Sequence, residues 1–96
     1  MIKVVADKYV NEENKAEFLK IASELIVESR KEEGCISYGI FEDITDSSHV
    51  SFIEEWADEE AVLRHGQSEH YKKLIPLLGP LCSKNGSIYR YKTIED

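Results

Sequence analysis

Cysteine is scarce in this 96-residue chain: Cys35 and Cys82 stand far apart, in no CxxC arrangement. That excludes a disulfide scaffold and fits a reducing cytoplasm. No stretch approaches the roughly 20 apolar residues that span a bilayer. The N-terminus has no signal-peptide pattern, so a cytoplasmic protein is expected. Basic residues are the minority, 12 Lys and Arg against 19 Asp and Glu, for a formal charge of −7. Nucleic acid and anionic membranes are poor partners for such a surface, since both need clustered cations. The nearest thing to a cluster is Arg90 and Lys92 among tyrosines.

The chain also lacks a GxSxG elbow, a P-loop and GxGxxG, so hydrolase and nucleotide-binding readings have no warrant. HGQSEH (65–70) offers two imidazoles without HExxH spacing or a nearby cysteine, and no metal site is expected. Cys35 at a strand start and Cys82 on an apolar helix read as small packing residues.

What is present fits one domain over 1–96. A chain this short buries only roughly 60–70% of its unfolded surface, which leaves little room for a large private cavity. IKVVADKYV (2–10) reads as a strand. Asn11 suits an N-cap, with Glu12 and Glu13 in the first turn. Phe18, Leu19, Ala22, Leu25 and Ile26 then recur at helical spacing until Gly34 ends the helix. CISYGIFEDI (35–44) and HVSFIEEWA (49–57) flank Thr45-Asp46-Ser47-Ser48 as a hairpin. Asp58 caps a second helix closed by Gly66. Ser68 caps a third helical stretch, 69–84, which Pro76, Gly79 and Pro80 should kink or segment. SIYRYKTI (87–94) is the last strand. The order β-α-β-β-α-β is the split pattern of an α+β, ferredoxin-like fold with an antiparallel sheet.

Strand alternation separates two faces. One carries Val4, Ala6, Tyr38, Ile40, Phe52, Glu54 and Trp56; the other carries Val5, Tyr9, Phe41, Ile53, Tyr89 and Tyr91. Neither is polar, as a solvated sheet face should be. Packing the second face against a second copy about a twofold axis answers this, so a homodimer is expected.

If the helices cover the first face, Trp56, Glu54, Tyr38, Phe52, His65 and His70 could meet in one cleft. His65 or His70 could serve as a base, imidazole titrating near pH 6.5; the bland alternative is a helix cap and a surface residue. Glu54 on an inward face needs a partner, either a structural hydrogen bond or a pocket ligand. Trp56 and Tyr38 could equally be core residues.

GCISY (34–38), FIEEW (52–56), DEEA (58–61), His65 nine residues past the tryptophan and SEHYKK (68–73) occur in this order. Together, from Ile2 to about Tyr91, they resemble the antibiotic biosynthesis monooxygenase family, which includes quinol monooxygenases and autoinducer-2 processing isomerases. The resemblance implies a dimeric α+β barrel with a pocket between helices and sheet. It also implies oxidation of a quinol, phenolic or polycyclic aromatic substrate by O2 without metal or flavin. Trp56 would then be a wall, with Glu54 and Phe52 also binding substrate. His65 or His70 would be the base and Tyr38 a hydrogen-bond donor. Haem-degrading members use an Asn on the first strand, where this chain has Asp7-Lys8-Tyr9, so haem degradation is not expected. The isomerase branch would use His65, His70 and Glu54 to move a proton beside a carbonyl, with Lys8 or Arg64 holding a phosphate. A non-catalytic ligand-binding dimer is the third reading.

Overall fold

The computed structural model describes residues 1–94. Five strands and three helices follow in the order β1 (Ile2–Val10), α1 (Lys15–Arg30), β2 (Cys35–Asp43), β3 (Asp46–Trp56), α2 (Glu59–Gln67), α3 (Glu69–Leu78), β4 (Cys82–Lys84) and β5 (Ile88–Lys92). The sheet is antiparallel, with β2 and β3 paired and β3 beside β1. β4 and β5 divide the far edge of β1: β4 takes its Tyr9–Val10 end and β5 the stretch Ile2–Ala6. This is the α+β, ferredoxin-like architecture expected, with one strand more.

Alternation along the strands assigns the faces as expected. Val4, Ala6, Tyr38, Phe52, Glu54 and Trp56 are buried under the helices. Phe18, Ala22 and Leu25 of α1 and Leu74 and Leu78 of α3 complete that core, while Leu19 is exposed instead. Each of Phe18, Phe52, Leu25 and Leu78 contributes about 1.5–3 kcal/mol by leaving water. On the other face Phe41, Tyr89 and Tyr91 are about half exposed, at 55%, 48% and 54%.

Four local expectations change. The hairpin turn is shorter than 45–48, because β3 already begins at Asp46. The Asp43 and Asp46 carboxylates accept the backbone N–H groups of Thr45 and Ser48, which tightens the reversal. Asn11 makes no side-chain cap; a turn of 3-10 helix at Glu12–Asn14 precedes α1. α1 stops at Arg30, and Gly34 follows a turn rather than capping the helix. Gly34 has φ +89°, and a Cβ there would meet the Ala61 Cβ at 2.7 Å, so glycine is what lets β2 start against α2. Last, the helical stretch ends at Leu78. Gly79–Leu81 is one 3-10 turn, and Cys82 lies on β4, not on a helix. Pro80 lacks the N–H that a continuing helix would use, whereas Pro76 is accommodated inside α3.

The caps at Asp58 and Ser68 form as expected. Asp58 accepts from Ala61 N at 2.8 Å and Ser68 Oγ from Tyr71 N at 3.2 Å. Two short helices meeting at Ser68 bring the end of α2 and the start of α3 over one patch of sheet.

Candidate functional site

Register across the sheet sets the first layer. Tyr38 on β2 faces Glu54 on β3, Glu54 faces Val4 on β1, and Val4 faces Arg90 on β5. The next row is Ile40, Phe52, Ala6 and Ile88. α2 and α3 lie above, and between them and the sheet is a cavity of about 180 Å³. Val4, Ala6, Phe52 and Ile88 give it an apolar floor; Val62, Tyr71 and Ile75 form part of the roof. Tyr38, Glu54, His65, Lys8 and Arg90 bring polar groups to it.

His65 stands on the last turn of α2 and is 4% exposed. Its ring lies 4.6 Å from that of Trp56, with Tyr38 and Tyr71 edge-on at 5.3 and 5.0 Å. Nδ1 is 2.6 Å from Glu32 Oε2. Nδ1–H therefore donates to the carboxylate, which leaves Nε2 as the lone-pair nitrogen. That Nε2 is fully buried and has no hydrogen-bond partner. Burial holds the imidazole below its ordinary value of 6.5, against the pull of Glu32, so the ring is neutral at neutral pH.

Glu54 is 6% exposed, and its Oε1 accepts the Trp56 indole N–H at 2.9 Å. Burial pushes this carboxyl up to about 7, although the Trp56 N–H and the Tyr38 hydroxyl pull it down. Burial thus shifts two acid–base groups of one cleft in opposite directions, the carboxyl up and the imidazole down, an arrangement used by proton-transfer sites. Tyr38 is buried, and burial raises its phenol so far that it remains a donor.

Of the expected residues, Tyr38, Phe52, Glu54 and His65 meet on the cavity. Trp56 lies behind, supporting Glu54 and His65 rather than forming the wall. His70 lies one step out: its Nε2 is 2.8 Å from the same Glu32 oxygen that His65 uses. Arg64, one of two candidates for a phosphate ligand, instead pairs with Glu60 on the exposed side of α2; Lys8 does reach the cavity.

Glu32 was missed in the sequence because it sits in a Lys-Glu-Glu-Gly turn that reads as a solvated charge run. Its partners are 33 and 38 residues away, and no local spacing signals them. Glu32 Oε2, His65 Nδ1 and His70 Nε2 all lie within 4.8 Å of one another. They are donor types that divalent cations also use, a grouping that the HGQSEH segment alone did not suggest.

Other features carry less chemistry. The Cys35 and Cys82 thiols are pushed up by burial, away from thiolate reactivity. His49, on the opposite sheet face, is held between Asp43 at 3.1 Å and Asp7 at 3.0 Å. A larger groove of about 610 Å³ runs outside the cavity between α2 and β5 and shares Val62 and Arg90 with it. It lacks the desolvated acid–base pair, so the chemistry belongs to the smaller space.

The model of the family described as antibiotic biosynthesis monooxygenase matches residues 1–76. An uncharacterised protein of Synechocystis is 32% identical over 94 residues, 98% of this chain, which spans only 64% of that relative. YcnE of Bacillus subtilis, provisionally named a monooxygenase, is 33% identical over 75 residues, 78% of this chain and 79% of YcnE. A conserved protein of Methanosarcina mazei superposes with a TM-score of 0.93 at 37% identity, over 95% of this chain and 90% of its own. A crystal structure described as an antibiotic biosynthesis monooxygenase does so at 0.92 and 32%, over 99% and 100%. With these matches spanning most of its length, the chain belongs to the antibiotic biosynthesis monooxygenase family.

Proposed function

We propose that this protein is a monooxygenase that oxidises a quinol or a related phenolic or polycyclic compound with O2 and draws the electrons from the substrate itself. The observation that carries the reading is the buried, unpartnered Nε2 of His65, left as the lone-pair nitrogen by the Nδ1 bond to Glu32 on a ring that lines the cavity. Such a nitrogen takes a phenolic proton. The resulting oxyanion meets two donors, the Tyr38 hydroxyl and protonated Glu54, in a largely apolar space where such hydrogen bonds are strong. The anion is electron-rich enough to reduce O2. A hydroquinone supplies four electrons: two as it becomes a quinone and two as a ring C–H becomes C–OH. One oxygen atom stays on the ring and the other leaves as water. No resident cofactor enters this balance.

The working unit in this reading is a homodimer, each copy covering the other's Phe41, Tyr89 and Tyr91 face. Those three aromatic side chains are about half exposed in one chain, an unusual group for a sheet surface left to water.

The test is O2 uptake by chelator-treated protein across a panel of reduced quinols and anthrones. Uptake above autoxidation that vanishes in His65→Ala is expected. No uptake, or uptake that needs added metal, overturns the reading. A second reading, proton transfer beside a carbonyl, draws on the same Glu54 and His65 pair. Solvent deuterium entering a carbonyl substrate without O2 uptake would favour it.

A further inference from the structure

Two cations that nothing in the fold consumes border the cavity, Lys8 half-buried on β1 and Arg90 exposed on the edge strand β5. Lys8 and Arg90 both line the cavity, and among the described residues neither side chain makes an ion pair or a hydrogen bond. Every other ion pair of a lysine or arginine lies outside the cavity. In a chain of formal charge −7 this is a local inversion of sign. The placement is also specific. Arg90 ends the row Tyr38–Glu54–Val4–Arg90, so it looks along the sheet at the acid–base pair, and it forms the boundary with the outer groove. Lys8 lies four residues further along β1 than Val4, roughly 13 Å away at about 3.3 Å per residue. With their backbone stations that far apart, an elongated apolar ligand with an acidic group can use both the floor and a cation.

We propose that the cavity selects an aromatic acid: a flat, one- or two-ring body on the Ala6–Phe52–Ile88 floor, its carboxylate or equivalent anionic group seated on Arg90, with Lys8 adding charge from the far end. This names the charge of the substrate for the oxygenase reading and rests on that reading only for the location of the site.

The test is binding without turnover. Calorimetry with 2-naphthoate and its neutral isostere 2-naphthamide separates charge from shape. The acid is expected to bind at least about tenfold more tightly at low salt, with the gap closing as ionic strength rises. Arg90→Gln is expected to remove most of the gap and Lys8→Gln a smaller part, while naphthamide affinity stays unchanged in both. Equal binding of acid and amide, no binding of either, or a preference that survives in the Arg90→Gln/Lys8→Gln double variant overturns the inference. The two readings fail separately. Acid-selective binding with no O2 uptake on any quinol sinks only the oxygenase, and uptake on neutral quinols with no acid preference sinks only this inference.

Discussion

Glu32 Oε2 lies 2.6 Å from His65 Nδ1, across a gap of 33 residues in the chain. The bond fixes which nitrogen of the ring carries the proton, and so which one is left with the lone pair. Glu32 itself does not line the cavity. It acts by positioning.

Replacing Glu32 with Gln keeps the shape and removes the charge. The His65 tautomer is then no longer enforced, and turnover is expected to fall on the order of 10²-fold, the usual scale for a misplaced general base. Nitrogen-15 spectra of the imidazoles supply the readout that a merely structural role would not move. His65 Nε2 should report as unprotonated in the parent and as a tautomer mixture in Glu32→Gln.

The pH profile of kcat/KM is expected to be bell-shaped. The rising limb lies below 6.5, where His65 loses its proton and becomes a base. The falling limb lies at about 7, where Glu54 ionises and ceases to donate. Glu54→Gln should keep the rising limb and lose the falling one. A profile unchanged by this substitution would remove Glu54 from the chemistry.

The same carboxyl makes a stability prediction of definite sign. Glu54 titrates at about 7 when folded against 4.5 ordinarily, so the folded state holds a proton that the unfolded chain has released between those values. Stability from this group is complete below pH 4.5 and is lost as pH rises through 7, by about 3 kcal/mol at most. Glu54→Gln should therefore flatten the denaturant midpoint between pH 5 and 8, a window chosen at roughly the two pKa values. His65 works in the opposite direction, because its lowered pKa costs stability as pH falls below 6.5.

Gly34→Ala forces a side chain into φ +89° and into the Ala61 methyl at 2.7 Å. A loss of roughly 1–3 kcal/mol is expected, read as a fall in Tm of several degrees. The acid–base pair is not touched, so turnover at low temperature should survive.

For assembly, Phe41→Glu and Tyr91→Glu place charges on the open sheet face. Light scattering after gel filtration should give a dimer for the parent and a monomer for the double variant. A parent that runs as a monomer at micromolar concentration would refute the dimer.

Much of this was legible in the sequence because strands have a period of two. Once Trp56 and Glu54 are placed on one strand, parity alone puts Phe52 with them and Ile53 against them, and the burial follows. The caps at Asp58 and Ser68 were equally plain as a side-chain oxygen before an acidic first turn, although Asn11 has the same pattern and makes no such cap. What escaped was non-local. Pro76, Gly79 and Pro80 signal a break within 69–84, but nothing nearby says that Cys82 will pair with Val10, 72 positions earlier. Glu32 sits in a run of charges and Arg90 among tyrosines, and only the pairing of Glu32 with His65 and His70 and of β5 with β1 brings them to the site.

On the proposed reading, the split edge of β1 sets Arg90 apart from the groups that react. Glu32, Tyr38, Glu54 and His65 all fall within residues 1–76, the stretch that matches the family, whereas Arg90 stands on β5, beyond it. β5 is held to the body by pairing with a single strand. An edge strand so placed can change its side chains without disturbing Glu54, two strands further along the same row, or His65 on α2. Relatives could thus diverge in the molecules they accept while keeping one chemistry, with the terminal ribbon acting as an interchangeable label for what enters.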